Sequence, residues 1–568
     1  MTYQAQARLV DRQPVTVIEI DLDFCSESFG VAPCTAVEGL AGKCYNTRAT
    51  CQDAANYNRG SKTYRFIEGR GQLPVGIDMI PSLISVSSAP TRITPGKGLG
   101  YRASVTATFQ DHTHHDRGID PYFRTRSFDA ESQGTFWTKL LARNPYYQNR
   151  RMRVLTGYMT DPWDWNHFTV REYVIDRIEG PDGNGQVKIV AKDVLKLADD
   201  DRAVCPLATT GTITAEIDEV ATSLTLNTGE AAQYTGSEYL RIDDEIILAP
   251  FANRSGDTFS NLTRATWGTT AETHNTDATV QTCKEWIDVN VRDIIDELLT
   301  DFAGIDSSYI NATDWDTEES DWLSSYALTA ILSEPEGVNT LLGELTEQCQ
   351  VMLWSDERNQ QIRLKAIVPP KGNVPTRIND DEHFIADSVE PKENPKDRVT
   401  QVWILYAPAD YTEDKRSNFQ KLYIQQDADA ESADQYADSR IHVIESRWFD
   451  DTNQAAVIQT AGRIFNARRN TPVIVDFELD AKDLSAFKTG DILDLYCDRF
   501  VDFHGMPKTV RGVILEENED EPGTIIQYKL QTGIGVGRFG FIGPNTLGDY
   551  SAESQANRDH YMFIAPNS

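Results

Sequence analysis

Four of the chain's eight cysteines fall within the 27 residues from Cys25 to Cys51, in a stretch otherwise rich in Gly, Ser, Thr and Ala. Such a segment has too little apolar surface to order itself by burial, so it needs covalent or metal cross-links, and a set of four soft sulfurs is what either would use. The spacing is Cys-x8-Cys-x9-Cys-x6-Cys. It contains neither the paired Cys-x2-Cys knuckles of zinc ribbons nor the Cys-x2-Cys-x2-Cys run of bacterial ferredoxins. On the residues alone three states compete: disulfides or free thiols, one tetrahedral zinc, or an iron–sulfur cube. Residues 1–24 carry no basic start, apolar core and small-residue cleavage site. That predicts maturation in a reducing cytosol, where metal is favoured over cystine.

The block Cys44-Tyr45-Asn46-Thr47-Arg48-Ala49-Thr50-Cys51-Gln52-Asp53, preceded by Cys25 and by Gly30-Val31-Ala32-Pro33-Cys34, resembles the cysteine-rich segment of tail-tip hub proteins of long non-contractile-tailed bacteriophages, the lambda-type hub among them. In that family four cysteines hold a [4Fe–4S] cluster. The resemblance therefore implies a cluster on Cys25, Cys34, Cys44 and Cys51, with zinc as the alternative metal. Here the segment lies near the N-terminus, whereas the family carries it at the end of a short protein.

A chain of 568 residues, 40% of them hydrophobic, is expected to build about four domains at ~150 residues each. Its formal net charge of −33 opposes general binding to nucleic acid or to an anionic membrane. The same sign is compatible with a channel wall past which DNA slides without sticking. No apolar run approaches the ~20 residues of a membrane-spanning helix, so no stable membrane insertion is expected.

Along the chain, Val15–Leu22 alternates β-branched and acidic residues, the period of a half-buried strand that delivers the chain to Cys25. The N-terminal strand and cysteine segment are assigned to residues 1–70. Residues 71–205 read as a first hub β-barrel, with strands over Ser82–Ser88, Ala103–Phe109, Arg151–Gly157, Thr169–Glu179 and Gln186–Ala191 and a helical plug over Thr135–Arg143. The turn Pro181–Gly185 is expected to join the last two strands as a hairpin. His112, His114 and His115 read as a solvated loop at a strand end, not as metal ligands, and Trp163-Asp164-Trp165 as packing.

Residues 206–284 read as an inserted small β-domain; the text around Tyr239–Ile246 and Leu262–His274 resembles a recurrent insertion of phage tail proteins, with His274 structural. Residues 285–370 are predicted to form a helix-plus-hairpin domain. Val291, Ile294, Ile295, Leu298 and Leu299 share one helix face there, a second helix runs to Cys349, and a hairpin spans Val351–Ile367. Residues 371–535 read as a second hub barrel, including a helix over Gln454–Arg469 with Asn453 as its N-cap and with Arg463, Arg468 and Arg469 opposing its dipole. Residues 536–568 read as a docking tail ending in the apolar Tyr561–Ile564.

The expected fold class is thus α+β and β-rich, with two tube-like barrels, an inserted β-domain, helical elements and a four-cysteine loop. No Walker loop, Gly-x-Ser-x-Gly elbow or His-Glu-x-x-His motif occurs, and Gly533–Gly537 lacks a following helix; no catalytic residue is assigned. The resemblance implies a non-enzymatic virion protein of the tail tip or baseplate, assembled in the host cytoplasm. It would be a homotrimer that caps the sixfold tail tube with a threefold tip. It would also contact distal tail-tube and tape-measure proteins, anchor fibre or receptor-binding proteins and let DNA pass without specific binding. An iron–sulfur oxidoreductase or a tail-associated cell-wall hydrolase is the alternative.

Overall fold

The computed structural model describes residues 3–39, 42–69, 76–236, 238–368, 375–480, 487–519, 524–534, 540–542 and 562–564. Seven strands close a barrel: β1 (Pro14–Cys25), β2 (Arg59–Glu68), β3 (Ile80–Ala89), β4 (Ser104–Gln110), β5 (Arg151–Tyr158), β6 (Phe168–Glu179) and β7 (Gln186–Lys192), in the order β1-β2-β3-β4-β7-β6-β5. All neighbours are antiparallel except β2 and β3, which run parallel. Period-2 alternation builds the interior: Ile18, Ile20 and Leu22 from β1, Val105, Ala107 and Phe109 from β4, and Val187, Ile189 and Ala191 from β7 share one core. The acidic residues between them on β1 pair across the outer face, Glu19 with Arg65 at 2.7 Å and with Arg153 at 2.9 Å, and Asp23 with Arg150 at 2.7 Å. This explains the acid–aliphatic alternation of Val15–Leu22.

The helix Phe136–Arg143 plugs the barrel, as its sequence predicts. Trp137 is fully buried and stacks on Phe66 at 5.0 Å, with Phe109 at 4.8 Å. One boundary differs from the expectation. The strands on either side of the cysteine segment, assigned above to residues 1–70, are barrel strands, since β1 pairs with both β2 and β5. The cysteine segment is therefore the β1–β2 connection.

The inserted β-unit has its own core, built from Ile213, Leu224, Leu240, Ile247, Phe259 and neighbours. His274 is buried between Asp243 at 2.7 Å and Glu245 at 3.0 Å, and Arg264 forks onto Glu245 at 2.8 and 2.6 Å, which is the structural role expected for that histidine. The unit seats on the central part through Trp267, packed edge-on against Tyr411 at 5.0 Å. Beside it Gly268 has φ +81, and a Cβ there would lie 1.7 Å from the Ala409 carbonyl oxygen. Only glycine allows that approach.

The largest core joins the helices Val291–Glu297, Val338–Gln348 and Gln454–Arg468 to the hairpin Val351–Asp356/Gln361–Ala366 and to the three-stranded sheet of Phe419–Gln426, Gln401–Pro408 and Ile441–Glu445. Val291, Ile294, Ile295, Leu298, Leu299 and Cys349 are all fully buried in it. The second β-unit is consequently discontinuous. Its six-stranded sheet runs in the order Thr376–Asn379, Ile492–Val501, Pro507–Glu519, Ile525–Thr532, Val473–Asp480, Glu390–Glu393. The chain between Glu393 and Val473, expected to lie within that second barrel, instead completes the central core. The sheet curls on one core to which Ile378 of one end strand and Val389, beside the other, both contribute.

Asn453 stands at the N-cap and Arg468 in the last turn of the helix Gln454–Arg468, as expected, but their side chains bond elsewhere. Asn453 makes no side-chain cap bond; it accepts from the Asp450 N–H at 3.0 Å and donates to the Ala327 carbonyl at 2.6 Å. Arg468 is buried and donates to the carbonyls of Pro95 at 2.9 Å and Gly96 at 2.6 Å, tying its helix to the chain that follows β3. The expected docking tail falls mostly outside the described residues; within them Gly540–Ile542 pairs with Met562–Ile564. No helix among the described residues is long and apolar enough to cross a membrane.

Candidate metal centre

β1 ends at Cys25 and β2 begins at Arg59, the two being register partners, so the loop between them is anchored at one end of the barrel. The β4–β5 connection, residues 111–150, emerges from the same end and carries the plug helix. The two connections meet. Cys25, Cys34, Cys44 and Cys51 line one cavity, together with Phe29, Asn46, Thr47 and Tyr57. All four are free thiols, Cys25 buried and the others half-buried.

Asn46 is the clip that folds the loop back on β1. In the left-handed region at φ 55, it donates through Nδ2 to the carbonyls of Cys25 at 3.1 Å and Glu27 at 2.9 Å, while its own carbonyl accepts from the Cys25 N–H at 2.7 Å. Cys34 follows a tight turn held by its N–H on the Val31 carbonyl at 2.9 Å. Asp53 takes the next residue, accepting from the Thr35 N–H at 2.6 Å and hydroxyl at 2.8 Å. A single 3₁₀ turn, Arg48–Thr50, separates Cys44 from Cys51; the Tyr45 N–H donates to Thr50 Oγ1 at 3.0 Å and braces it. The Asp53 N–H points at Cys51 Sγ at 3.4 Å, a donor of the kind that stabilises a thiolate.

Residues from the β4–β5 connection hold this loop down. Arg126 forks onto Asp120 at 2.8 and 3.1 Å and also donates to the carbonyls of Lys43 at 2.6 Å and Cys44 at 2.9 Å. Tyr45 lies between guanidinium groups, with Arg126 and Arg143 each 4.0 Å from its ring centroid. Tyr122 accepts the Phe29 N–H at 2.7 Å. Below them Asp116 is buried against Lys139 at 2.7 Å and Arg143 at 2.6 Å, and its N–H donates to His114 Nδ1 at 2.9 Å. The three histidines are less solvated than expected: His112 stacks on Phe136 at 5.4 Å, His114 is half-buried, and only His115 is exposed.

Two titrations follow from this geometry. Burial pushes the Cys44 thiol up, opposed by its bond to Asn46, and the nearby sulfurs of Cys51, Cys34 and Cys25 push it further the same way. Four thiolates without a cation would repel one another. For Asp116, burial alone would raise the carboxyl, but the bonds from His114, Lys139 and Arg143 outweigh it and hold it well below its ordinary 3.8. A carboxylate depressed in the folded state contributes stability that is present above about pH 4 and is lost as the pH falls through its lower folded value. Asp116→Asn is expected to flatten the acid limb of barrel stability below pH 4 and to lower stability at pH 7, measured by hydrogen exchange on β1, β4 and β7 across pH, corrected for the intrinsic exchange rate.

The donor set is chemically that of a metal–thiolate centre. The cavity that the four cysteines help to line has a volume of about 20 Å³, room for about one water. Among the described residues no three His, Cys, Asp or Glu gather round a point that would hold one ion. Seating either a cube or a zinc ion therefore moves the loop. The turn that carries Cys34 can move without unpacking the barrel, because Val31 and Val37 are 60% and 83% exposed and no described residue between Cys25 and Arg59 belongs to the barrel core. Sequence reasoning found the four cysteines but missed Asn46, Tyr57, Asp120, Tyr122 and Arg126. The aromatic–basic text Tyr122-Phe123-Arg124-Thr125-Arg126 was the available signal.

No family model and no curated protein matches the chain. Among solved structures, the tail protein from Neisseria meningitidis MC58 is similar at 9% identity and a TM-score of 0.35, over 79% of this chain and 97% of that one. The 43 kDa tail protein of prophage MuSo2 from Shewanella oneidensis is similar at 9% identity and a TM-score of 0.34, over 78% and 97%. Prophage tail protein gp18 from Listeria monocytogenes EGD-e is similar at 10% identity and a TM-score of 0.32, over 68% and 86%.

Proposed function

We propose that this chain is a structural virion protein of a phage tail tip or baseplate, a hub of the long non-contractile-tailed type whose cysteine loop is stapled by a [4Fe–4S] cluster. The observation that carries the reading is the meeting of Cys25, Cys34, Cys44 and Cys51 on one cavity at one end of a closed barrel, in the segment whose residues resemble that family. When bound, the cluster supplies four metal–thiolate bonds that cross-link a polar loop. Cys25, Cys34, Cys44 and Cys51 would be its ligands, Asn46 and Arg126 hold the loop's carbonyls, and Phe29 and Tyr57 wall it from water.

In the assembled tip the chain is a trimer. The closed barrel and the curled six-stranded sheet of each subunit together present six related surfaces to the tail tube. Distal tail, tape-measure and fibre or receptor-binding proteins contact the hub, and DNA leaves past its acidic surface. No role in turnover is assigned to any residue, and the oxidoreductase and hydrolase alternatives have no site in this reading.

Metal analysis of protein purified without oxygen tests the proposal. The expected result is about four irons and four acid-labile sulfides per chain with a broad absorption near 400 nm, in a trimer by light scattering. A colourless zinc protein, or a metal-free monomer, would overturn it.

A further inference from the structure

The hairpin that joins the strands Ile492–Val501 and Pro507–Glu519 ends in an apolar tip. Phe503 is 92% exposed, Met506 62% and Val501 45%. The turn beneath them is tied down. The Asp502 carboxylate accepts the N–H groups of His504 at 2.8 Å and Met506 at 3.0 Å, the Asp502 N–H donates to the Met506 carbonyl at 2.8 Å, and Gly505 takes the φ of +78 that this closure requires. Large apolar groups held out on a fixed turn lose little freedom on docking and mark a contact site. The tip is also basic, in a chain of net charge −33. Arg499, His504 and Lys508 are exposed on it, and between Arg499 and Lys508 the sequence has no acid but Asp502, whose carboxylate the turn engages.

The other end of the same ribbon carries a cleft of about 630 Å³, within the range of sites that hold a ligand. Three half-buried apolar residues line it, each backed by a different core: Trp322 by the central helices, Phe487 by the six-stranded sheet, and Ile492 by the small cluster around Met352 and Val513. The charged residues on its wall are Glu318, Asp321 and Asp491 against Lys365. Ile492 begins the strand that Val501 ends, so cleft and tip stand ~30 Å apart at about 3.3 Å per residue. The tip of one chain does not reach its own cleft.

We infer that the tip at Phe503 and Met506 docks in the cleft at Trp322 and Ile492 of a second copy of this chain, with Arg499 and Lys508 meeting the carboxylates of Glu318 and Asp491. The inference rests on the homotrimer proposed above and names its contact. Shape and charge are complementary across it: an apolar knob with basic flanks meets an apolar cleft with an acidic wall. Because the two surfaces differ, the contact is head-to-tail, the kind that closes identical subunits into a ring.

The test compares the full-length wild type with Phe503→Asp, which puts a charge at an almost fully exposed position and is expected to leave the fold standing. By light scattering at equal concentration the wild type is expected to be a trimer and the variant a monomer. A monomeric wild type removes the trimer of the proposed function and this contact with it, whereas a trimeric Phe503→Asp overturns the contact and leaves the trimer in place. Hydrogen exchange reads where the tip lands. Residues 318–323 and 490–493 are expected to exchange at least about tenfold faster in Phe503→Asp than in the wild type, although the substitution lies ~30 Å from Ile492 along its own strand. Equal exchange there overturns the inference even where the trimer is lost. Lys508→Glu sets an acid against the acidic wall and is expected to weaken the trimer about tenfold or more. A Lys508→Glu trimer as stable as the wild type overturns the inference whatever Phe503→Asp does.

Discussion

Cys44→Ser is expected to strip the protein of its metal and loosen residues 26–58 while leaving the barrel folded. A serine hydroxyl is a hard, weakly acidic donor that replaces a thiolate poorly at iron or zinc. Changes to groups behind the ligands already cost 10–100-fold in metal affinity, so loss of a ligand costs more than about 100-fold. The structural consequence follows from where the loop's order comes from. Among the described residues between Cys25 and Arg59 only Asn46 and Thr47 are buried, and none of them contributes to the barrel core. Without the metal it is held by hydrogen bonds alone, the condition of a segment that opens locally. Limited proteolysis should therefore cut the variant between residues 27 and 43, while hydrogen exchange on β1, β4 and β7 stays slow. Cys497→Ala is the control: it empties a buried position in the six-stranded sheet's core and should keep the full metal content. Equal metal in Cys44→Ser and wild type would remove the basis of the proposed function.

The contrast between those two cysteines illustrates what one-dimensional information carries. Period-2 and period-3.6 patterns are local, and where burial follows them the reading holds: the Val15–Leu22 strand, the plug around Trp137 and the Val291–Leu299 face all lie as expected. The side-chain bonds of Asn453 and Arg468 were illegible for the opposite reason. Their partners, the carbonyls of Ala327, Pro95 and Gly96, are more than a hundred residues away, and no window on a helix terminus contains them. The same non-locality moved the boundaries. β1 reads as a strand in any window, but its pairing with β5, across the whole cysteine loop and three further strands, is set by barrel closure. The stretch from Glu393 to Val473 reads as strands and a helix, and only the shared core with the helix Val338–Gln348 shows that it interrupts the second sheet. At the candidate metal centre the four cysteines were legible because four thiols in so short a stretch are rare. The residues that hold them are ordinary polar types, recognisable only once the two connections meet at the same end of the barrel.

Arg126→Ala should be the most damaging single change in that supporting layer. The Arg126 side chain is 7% exposed and Asp120 is 1% exposed. Truncation leaves the Asp120 carboxylate buried with only the Tyr122 N–H, at 2.9 Å, still donating to it. It also frees the Lys43 and Cys44 carbonyls beside the cavity. Removing one partner of a buried pair costs about 3–5 kcal/mol, far more than the pair contributes relative to an apolar replacement. Urea unfolding of so many packed units is not two-state, so hydrogen exchange over residues 26–58 and 111–126 is the measurement, with Arg124→Ala, at an exposed position two residues away, expected within about 0.5 kcal/mol of wild type. Arg126→Lys keeps a charge but not the planar fork that reaches four oxygens at once, and should recover only part of the loss. The decisive comparison is the double variant Arg126→Ala/Asp120→Ala. If the penalty is that of a stranded buried charge, the double variant is more protected than Arg126→Ala alone, by a coupling of about 0.5–3 kcal/mol. If instead the carbonyl contacts to Lys43 and Cys44 dominate, the two variants exchange alike, and the hold on the cysteine loop comes from the loop's side of the guanidinium.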